Sequence, residues 1–226
     1  MRVADEFDDW AEEGRDRGMA ERHWHTAKHI LTRMPVEAGD VVFDLGTGSG
    51  YALRALADTR EIGRGYGLDG SGQMLRNAVG YTDIPSIGYV AGDFNQLPVR
   101  ANSLDHVFSM EAFYYAADPV GTVEELQRVL RPGGTFYCGV NYFAESEQTH
   151  RWQDNMAIEM TLWNRDEYRQ GFRDGGLHVA AQDTIPDQEI DIPPAGEFPI
   201  EGWESRSAMV DRYRTWGTLL TVGVAP

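Results

Sequence analysis

Apolar positions near the start of the chain recur at helical spacing: Ala27, Ile30, Leu31 and Met34 share one face, and Pro35 ends the run. Gly14 and Gly18 predict a break between a short acidic helix around Trp10 and a longer one from about Met19. The period then changes. Val41-Val42-Phe43-Asp44-Leu45 is a short apolar run closed by glycines, the pattern of a strand buried on both faces. An Ala/Leu-rich helix follows from about Tyr51 to Thr59. Further strands are expected at Gly65 to Asp69, Ile87 to Val90, Leu104 to Met110 and Thr135 to Val140, with helices at Gly72 to Val79 and Val120 to Leu130. Strict alternation with short glycine-bearing connections predicts a doubly wound α/β sheet.

The last third departs from this rhythm. Residues 142 to 164 are irregular and rich in aromatics and amides. A helix near Arg165 to Arg173 leads to a strand at about Val179 to Thr184. Asp187 to Glu204 carries Pro193, Pro194 and Pro199 and reads as a long loop, before a strand from Trp216 to Val224. Two terminal strands without regular alternation suggest an antiparallel pair. No repeat or low-complexity tract divides the sequence, so residues 1–226 are read as one domain.

Composition narrows the setting. With 226 residues, 42% of them hydrophobic, the chain can bury one sizeable core. It has no run of eighteen apolar residues, which excludes a membrane span, and its acidic start does not resemble a signal peptide. The single cysteine, Cys138, can form neither an internal disulfide nor a thiolate metal cluster, which suits a reducing cytoplasm. The formal charge is −16, and Lys28 is the only lysine among the basic residues. This bias resembles proteins of extreme halophiles, where molar salt shrinks the Debye length to roughly 3 Å and dense carboxylates keep the surface hydrated. Net charge is then a habitat signal, and it leaves direct nucleic-acid binding open.

The most informative segment is Asp44-Leu45-Gly46-Thr47-Gly48-Ser49-Gly50, between a buried strand and a helix. Its glycines allow a tight turn and close approach to a ligand, and the amides at the helix start can meet an anionic group. The dinucleotide fingerprint would need glycine where Tyr51 or Leu53 stands, and no Gly-Lys-Ser/Thr phosphate loop is present. A pyrophosphate site is therefore disfavoured. Asp69 ends the second strand, where an acid can accept both hydroxyls of a ribose. Gly92-Asp93-Phe94 closes the third strand and offers a carboxylate and a ring to an adenine.

In order and spacing these residues resemble the class I S-adenosylmethionine-dependent methyltransferases, of the methyltransferase type 11 kind, over about Val41 to Asn141. Asp44 to Gly50 matches the family's D-x-G-x-G-x-G loop, Asp69 its ribose acid, and Asp93-Phe94 with Leu97-Pro98 its adenine-side motif. Ser103-Leu104-Asp105-His106-Val107 and Leu130-Arg131-Pro132-Gly133-Gly134 match the leads into the fourth and fifth strands. The resemblance implies a three-layer α/β/α fold with a seven-stranded sheet in the order 3-2-1-4-5-7-6, strand seven antiparallel. It implies a helical cap over residues 1–35, a cofactor-binding core over 36–141, and an acceptor-side insertion with terminal strands over 142–226. The implied S-adenosylmethionine contacts are Asp44, Gly46, Thr47, Gly48, Gly50, Asp69, Gly70, Met74, Asp93, Phe94 and Met110.

Methyl transfer from a sulfonium is an in-line displacement, so the protein must align the nucleophile, exclude water and, where required, remove a proton. The loop Met110-Glu111-Ala112-Phe113-Tyr114-Tyr115 falls at the cleft, making Glu111, Tyr114 and Tyr115 the catalytic candidates. Asn141, Tyr142 and Glu145 are further substrate-side candidates, and the segments 142 to 164 and 187 to 204 are expected to shape the acceptor pocket. His106 reads as a packed histidine, and His23, His25 and His29 as solvated helical residues rather than metal ligands. Trp10 and Trp24 are expected to pack a helical lid over the cofactor.

Three functions remain open on these residues: a methyltransferase, a cofactor-binding subunit without catalysis, and a nucleotide-sugar or nicotinamide enzyme of the same architecture. In the implied topology Ile87-Gly88-Tyr89-Val90 is an edge strand with no charge or proline to protect it. Some similar cores dock a small zinc-binding activator protein there, as catalytic subunits of two-protein RNA or protein methyltransferases. The acceptor itself is not named by any residue.

Overall fold

The computed structural model describes residues 3–156 and 159–226; Met1, Arg2, Ala157 and Ile158 lie outside it, and with them the first two positions of the cap and two of the 142–164 stretch. Strands β1 (Val41–Leu45), β2 (Arg64–Asp69), β3 (Ile87–Ala91), β4 (Leu104–Met110), β5 (Leu130–Val140), β6 (His178–Ile185) and β7 (Thr218–Val224) form one sheet. Their order is β3-β2-β1-β4-β5-β7-β6, and β7 runs antiparallel to both neighbours. The order and the reversed strand are as the resemblance implied.

Side-chain alternation along the strands builds two apolar layers. On one face Phe43, Leu45, Val107 and Phe136 pack under helices α5 (Pro119–Val129) and α6 (Arg165–Asp174), through Leu126 and Phe172. On the other, Val42, Phe108 and Tyr137 pack under α2 (Arg15–Arg33) and α3 (Tyr51–Thr59), through Ile30 and Leu53. Burying each such side chain contributes about 2 kcal/mol. The remaining helices are α1 (Val3–Glu12), which packs on α4 (Gly72–Gly80), and the short α7 (Arg206–Val210).

Several boundaries differ from the sequence reading. Helix α2 begins at Arg15, because Gly14 at φ 73° makes the break while Gly18 continues the helix. The 142–164 stretch contains a 3-10 segment, Glu147–Asn155. After α7 the backbone passes into a π-helical turn, Asp211–Trp216, so β7 starts at Thr218 rather than Trp216. Gly217 forces that junction, since a Cβ there would strike the Ile185 carbonyl. His106 is packed as expected, 2.7 Å from the Thr135 hydroxyl and 3.1 Å from Asp40. No described helix is long and apolar enough to cross a membrane.

Candidate active site

The chain leaves β1 through Gly46, Gly48 and Gly50, all left-handed, with φ of 77°, 51° and 76°. Two of these glycines are also sterically obligatory. A Cβ on Gly46 would overlap the Ala112 methyl and reach 3.3 Å from the Phe94 ring, and one on Gly50 would overlap the Tyr89 hydroxyl. Around Gly48 nothing lies within 4 Å of the position a Cβ would take. The amides of Gly46 and Thr47 donate to the Leu68 carbonyl at 2.8 and 2.9 Å, tying the turn to β2.

Asp69, at the end of β2, is fixed by the backbone. Its Oδ2 accepts from the Gly48 amide at 2.8 Å and its Oδ1 from the Ser71 amide at 2.9 Å. Burial raises its carboxyl, and the surrounding amides oppose that rise. Beneath it Asp44 is 3% exposed, with Oδ2 accepting from the Thr47 hydroxyl at 2.7 Å. Burial pushes Asp44 up to about 7, the Thr47 bond opposes this, and the charge of Asp69 adds to it.

Above the carboxyl ends of these strands lies a cavity of about 570 Å³. Gly46, Thr47, Gly48, Asp69 and Gly70 line it, with Met74, Asp93 and Phe94 on one wall. Helices α1 and α2 close it with Phe7, Met19 and His23. Burial, helped by Arg22, lowers His23 to about 4, so it lines the cavity as a neutral imidazole near pH 7.

Opposite, Met110, Glu111 and Tyr115 face the same space. Glu111 adopts φ 57°, a left-handed conformation that costs a non-glycine residue on the order of 1–2 kcal/mol. The surroundings hold it there. Its amide donates to the Gly139 carbonyl at 2.9 Å, Oε1 accepts from the Asn141 amide, and Oε2 accepts from the Tyr114 hydroxyl at 3.2 Å. Burial raises its carboxyl to about 7, and the positive charge of Arg212 opposes the rise. Arg212, in the π-helical turn, is 4% exposed; its Nη1 donates to the Gly217 carbonyl at 2.8 Å and its guanidinium lies 5.0 Å from the Tyr213 ring centre.

Nine of the eleven expected cofactor residues line one cavity: Gly46, Thr47, Gly48, Asp69, Gly70, Met74, Asp93, Phe94 and Met110. Asp44 and Gly50 do not; the first supports Thr47 from below and the second gives Tyr89 room. Of the catalytic candidates, Glu111 and Tyr115 reach the cavity, and Tyr114 stands behind as a partner of Glu111. Asn141, Tyr142 and Glu145 do not line it, nor do the described residues of 142–164 and 187–204. The first of those segments packs against the back of the loop instead, through the bond from the Thr161 amide to the Tyr114 carbonyl at 2.8 Å and the Tyr114–Tyr142 ring contact at 5.6 Å. Trp10 and Trp24 likewise stand behind the lining, edge-on to Phe7 and Tyr51.

The sequence reading assigned nothing to Arg212, Asp16 or Tyr51, and no spacing rule connects an arginine at position 212 to a loop at 111. Among the described residues no group of three or more His, Cys, Asp or Glu could hold a metal; His25 is 3.1 Å from Asp187 and His29 is exposed.

The residues fit a nucleoside carrying an amino-acid tail. The open face of Gly48 admits the ligand backbone, and Asp69 retains lone pairs for vicinal hydroxyls beyond its two amide bonds. Two buried polar atoms on the wall, Asp16 Oδ1 and Tyr51 Oη, lack a partner within the protein.

Comparison with known proteins agrees with this geometry. The methyltransferase domain family matches residues 43–138. A chain of the complex between the Haloferax volcanii Trm112 methyltransferase activator and a methyltransferase is 65% identical, with a TM-score of 0.96 and 98% of both chains covered. The malonyl-[acyl-carrier protein] O-methyltransferase of a Marinomonas species is 37% identical over 47% of this chain and 40% of its own. The sterol 24-C-methyltransferase of Yarrowia lipolytica is 31% identical over 90% of this chain and 56% of its own. The chain spans about half the length of the curated relatives it matches. It belongs to the class I S-adenosylmethionine-dependent methyltransferases.

Proposed function

We propose that this chain is the catalytic subunit of a two-protein methyltransferase, working with a small activator protein bound at the free edge of β3. The observation that carries the reading is the 65% identity, over 98% of both chains, to a chain of a complex containing the Trm112 methyltransferase activator. An unprotected edge supports it: β3 ends the sheet, Gly88 leaves its surface bare, and Tyr66 beside it is 41% exposed.

In this reading residues 36–141 hold S-adenosylmethionine, residues 1–35 cap it, and residues 142–226 back the acceptor end. Bound there, the cofactor supplies a methyl group already activated by its sulfonium. Asp69 would hold the ribose, Phe94 and Met74 the base, and the amides at the start of α3 the carboxylate of the tail. Glu111, next to Met110 and Tyr115, receives the proton when the acceptor must lose one; a carboxyl near 7 is suited to that task. The bonds from Asn141 and Tyr114 hold its carboxylate in place.

A buried, unpaired Cys138 suits a reducing cytoplasm.

The test is co-expression with a small zinc-binding activator in molar salt. The wild type is expected to co-purify with it, and Gly88→Lys to lose it while still binding S-adenosylhomocysteine, because a Cβ at 88 meets Tyr66 at an ordinary 3.6 Å. A wild-type chain that stays monomeric, soluble and fully active alone would remove the activator from this reading.

A further inference from the structure

The cap helices do more than cover the cavity. Asp16, in the first turn of α2, is 2% exposed and lines the cavity wall. Its Oδ2 accepts from Asn77 Nδ2 at 3.3 Å, while its Oδ1 is buried without a partner. Leaving such an atom unpaired in the protein interior is costly, the more so when it is charged. Among the described residues no lysine or arginine lines the cavity, and the imidazole of His23 is held neutral there. Nothing in the wall answers Asp16, so the atom is left for a ligand that carries a donor.

Its position shows which end of that ligand it meets. Asn77 lies one turn beyond Met74 on α4, the helix that follows Asp69. The other cap helix is pinned to the same place. Asp8 Oδ1 on α1 accepts from the Ser71 hydroxyl at 2.6 Å and the Gln73 amide at 2.8 Å, and the Ala11 carbonyl accepts from Asn77 at 3.4 Å. The α1–α2 turn is thus fastened to the start of α4, beside Met74 and just after Asp69.

We propose that Asp16 is a binding residue of the donor site, its free oxygen accepting a hydrogen bond from an O–H or N–H at the nucleoside end of the ligand. The proposal rests on reading the cavity as the S-adenosylmethionine site. It makes the cap part of the site: ligand and α2 share a bond, so occupancy stiffens helices that otherwise carry an unsatisfied group.

Calorimetry on the full chain in molar salt tests this with two probes, S-adenosylhomocysteine and 5′-methylthioadenosine, the second lacking the amino-acid tail. Asp16→Ala is expected to weaken both about tenfold and Asp16→Asn less, and Asp16→Asn is expected to keep the ligand-free melting temperature, since its amide oxygen can still accept from Asn77. Hydrogen exchange supplies an independent readout: S-adenosylhomocysteine should protect amides of residues 3–33 in the wild type and protect them less in Asp16→Ala. Unchanged affinity and protection in Asp16→Ala would overturn the proposal and leave the donor site standing. Loss of affinity for S-adenosylhomocysteine alone would place Asp16 at the tail and overturn its assignment to the nucleoside. A wild type that binds neither probe would remove the donor-site reading itself.

Discussion

The two ends of the cavity are built by different means. At the end proposed for the donor the contacts come from consecutive residues, Gly46 to Gly48 and Asp69 to Ser71, and most of the bonds are to backbone amides. At the end proposed for the acceptor Glu111 is held by the Tyr114 hydroxyl and the Asn141 amide and feels the charge of Arg212, groups up to about a hundred residues away. A backbone-built end tolerates little change in shape, because a turn that needs glycine accepts no other residue. A side-chain-built end can change its chemistry residue by residue. Such a division lets one donor site serve many acceptors.

The sharpest attempt to break this contrast is Glu111→Gln. Labelled methyl incorporation into cell extract should fall about a hundredfold or more, with S-adenosylhomocysteine affinity within a factor of about three of wild type. If affinity fell equally, the two ends would be one unit and the contrast would fail. Next is Gly46→Ala, where the added methyl meets Ala112 and the φ of 77° is disfavoured. A loss of about 3 kcal/mol by denaturant titration is expected, part of it recovered by Ala112→Gly. Tolerance of Gly46→Ala would mean the glycine serves the ligand alone.

The smallest effect concerns pH. The carboxyl of Asp44 rises from 3.8 unfolded to about 7 folded, so between those values the folded chain binds the extra proton and stability falls as pH rises. Glu111 acts in the same sense and His23 in the opposite one, since its folded value of about 4 lies below its unfolded 6.5. Comparing thermal melts of Asp44→Asn and wild type isolates the first term. The variant should gain on the order of 2 kcal/mol relative to wild type between pH 4 and pH 8.

The same contrast explains what could be read from the sequence. Strands β1, β4 and the second half of β5 were legible because strands buried on both faces are apolar runs, and the glycine turn because glycine leaves a local mark. Arg206 to Trp216 gave no such mark. Its turn is held by one distant partner, the Asp187 amide donating to the Tyr213 carbonyl at 2.8 Å, and by Arg212 donating to the Gly217 carbonyl just beyond it. Asp16 was hidden for another reason: an aspartate in the first turn of a helix is sufficiently explained by the helix dipole. The 142–164 stretch was read as a pocket wall because it is aromatic, yet those rings back Tyr114, and composition cannot tell lining from backing.

Tyr89 has a consequence for the edge of the sheet. It lies in the outermost strand, its hydroxyl is 2.9 Å from that of Thr82, and it presses against the bare Cα of Gly50, where α3 begins. One phenol ring therefore spans the distance from the rim of the molecule to the hinge of its first loop. A strand added to that rim would pair with the very backbone that carries this wedge against the loop.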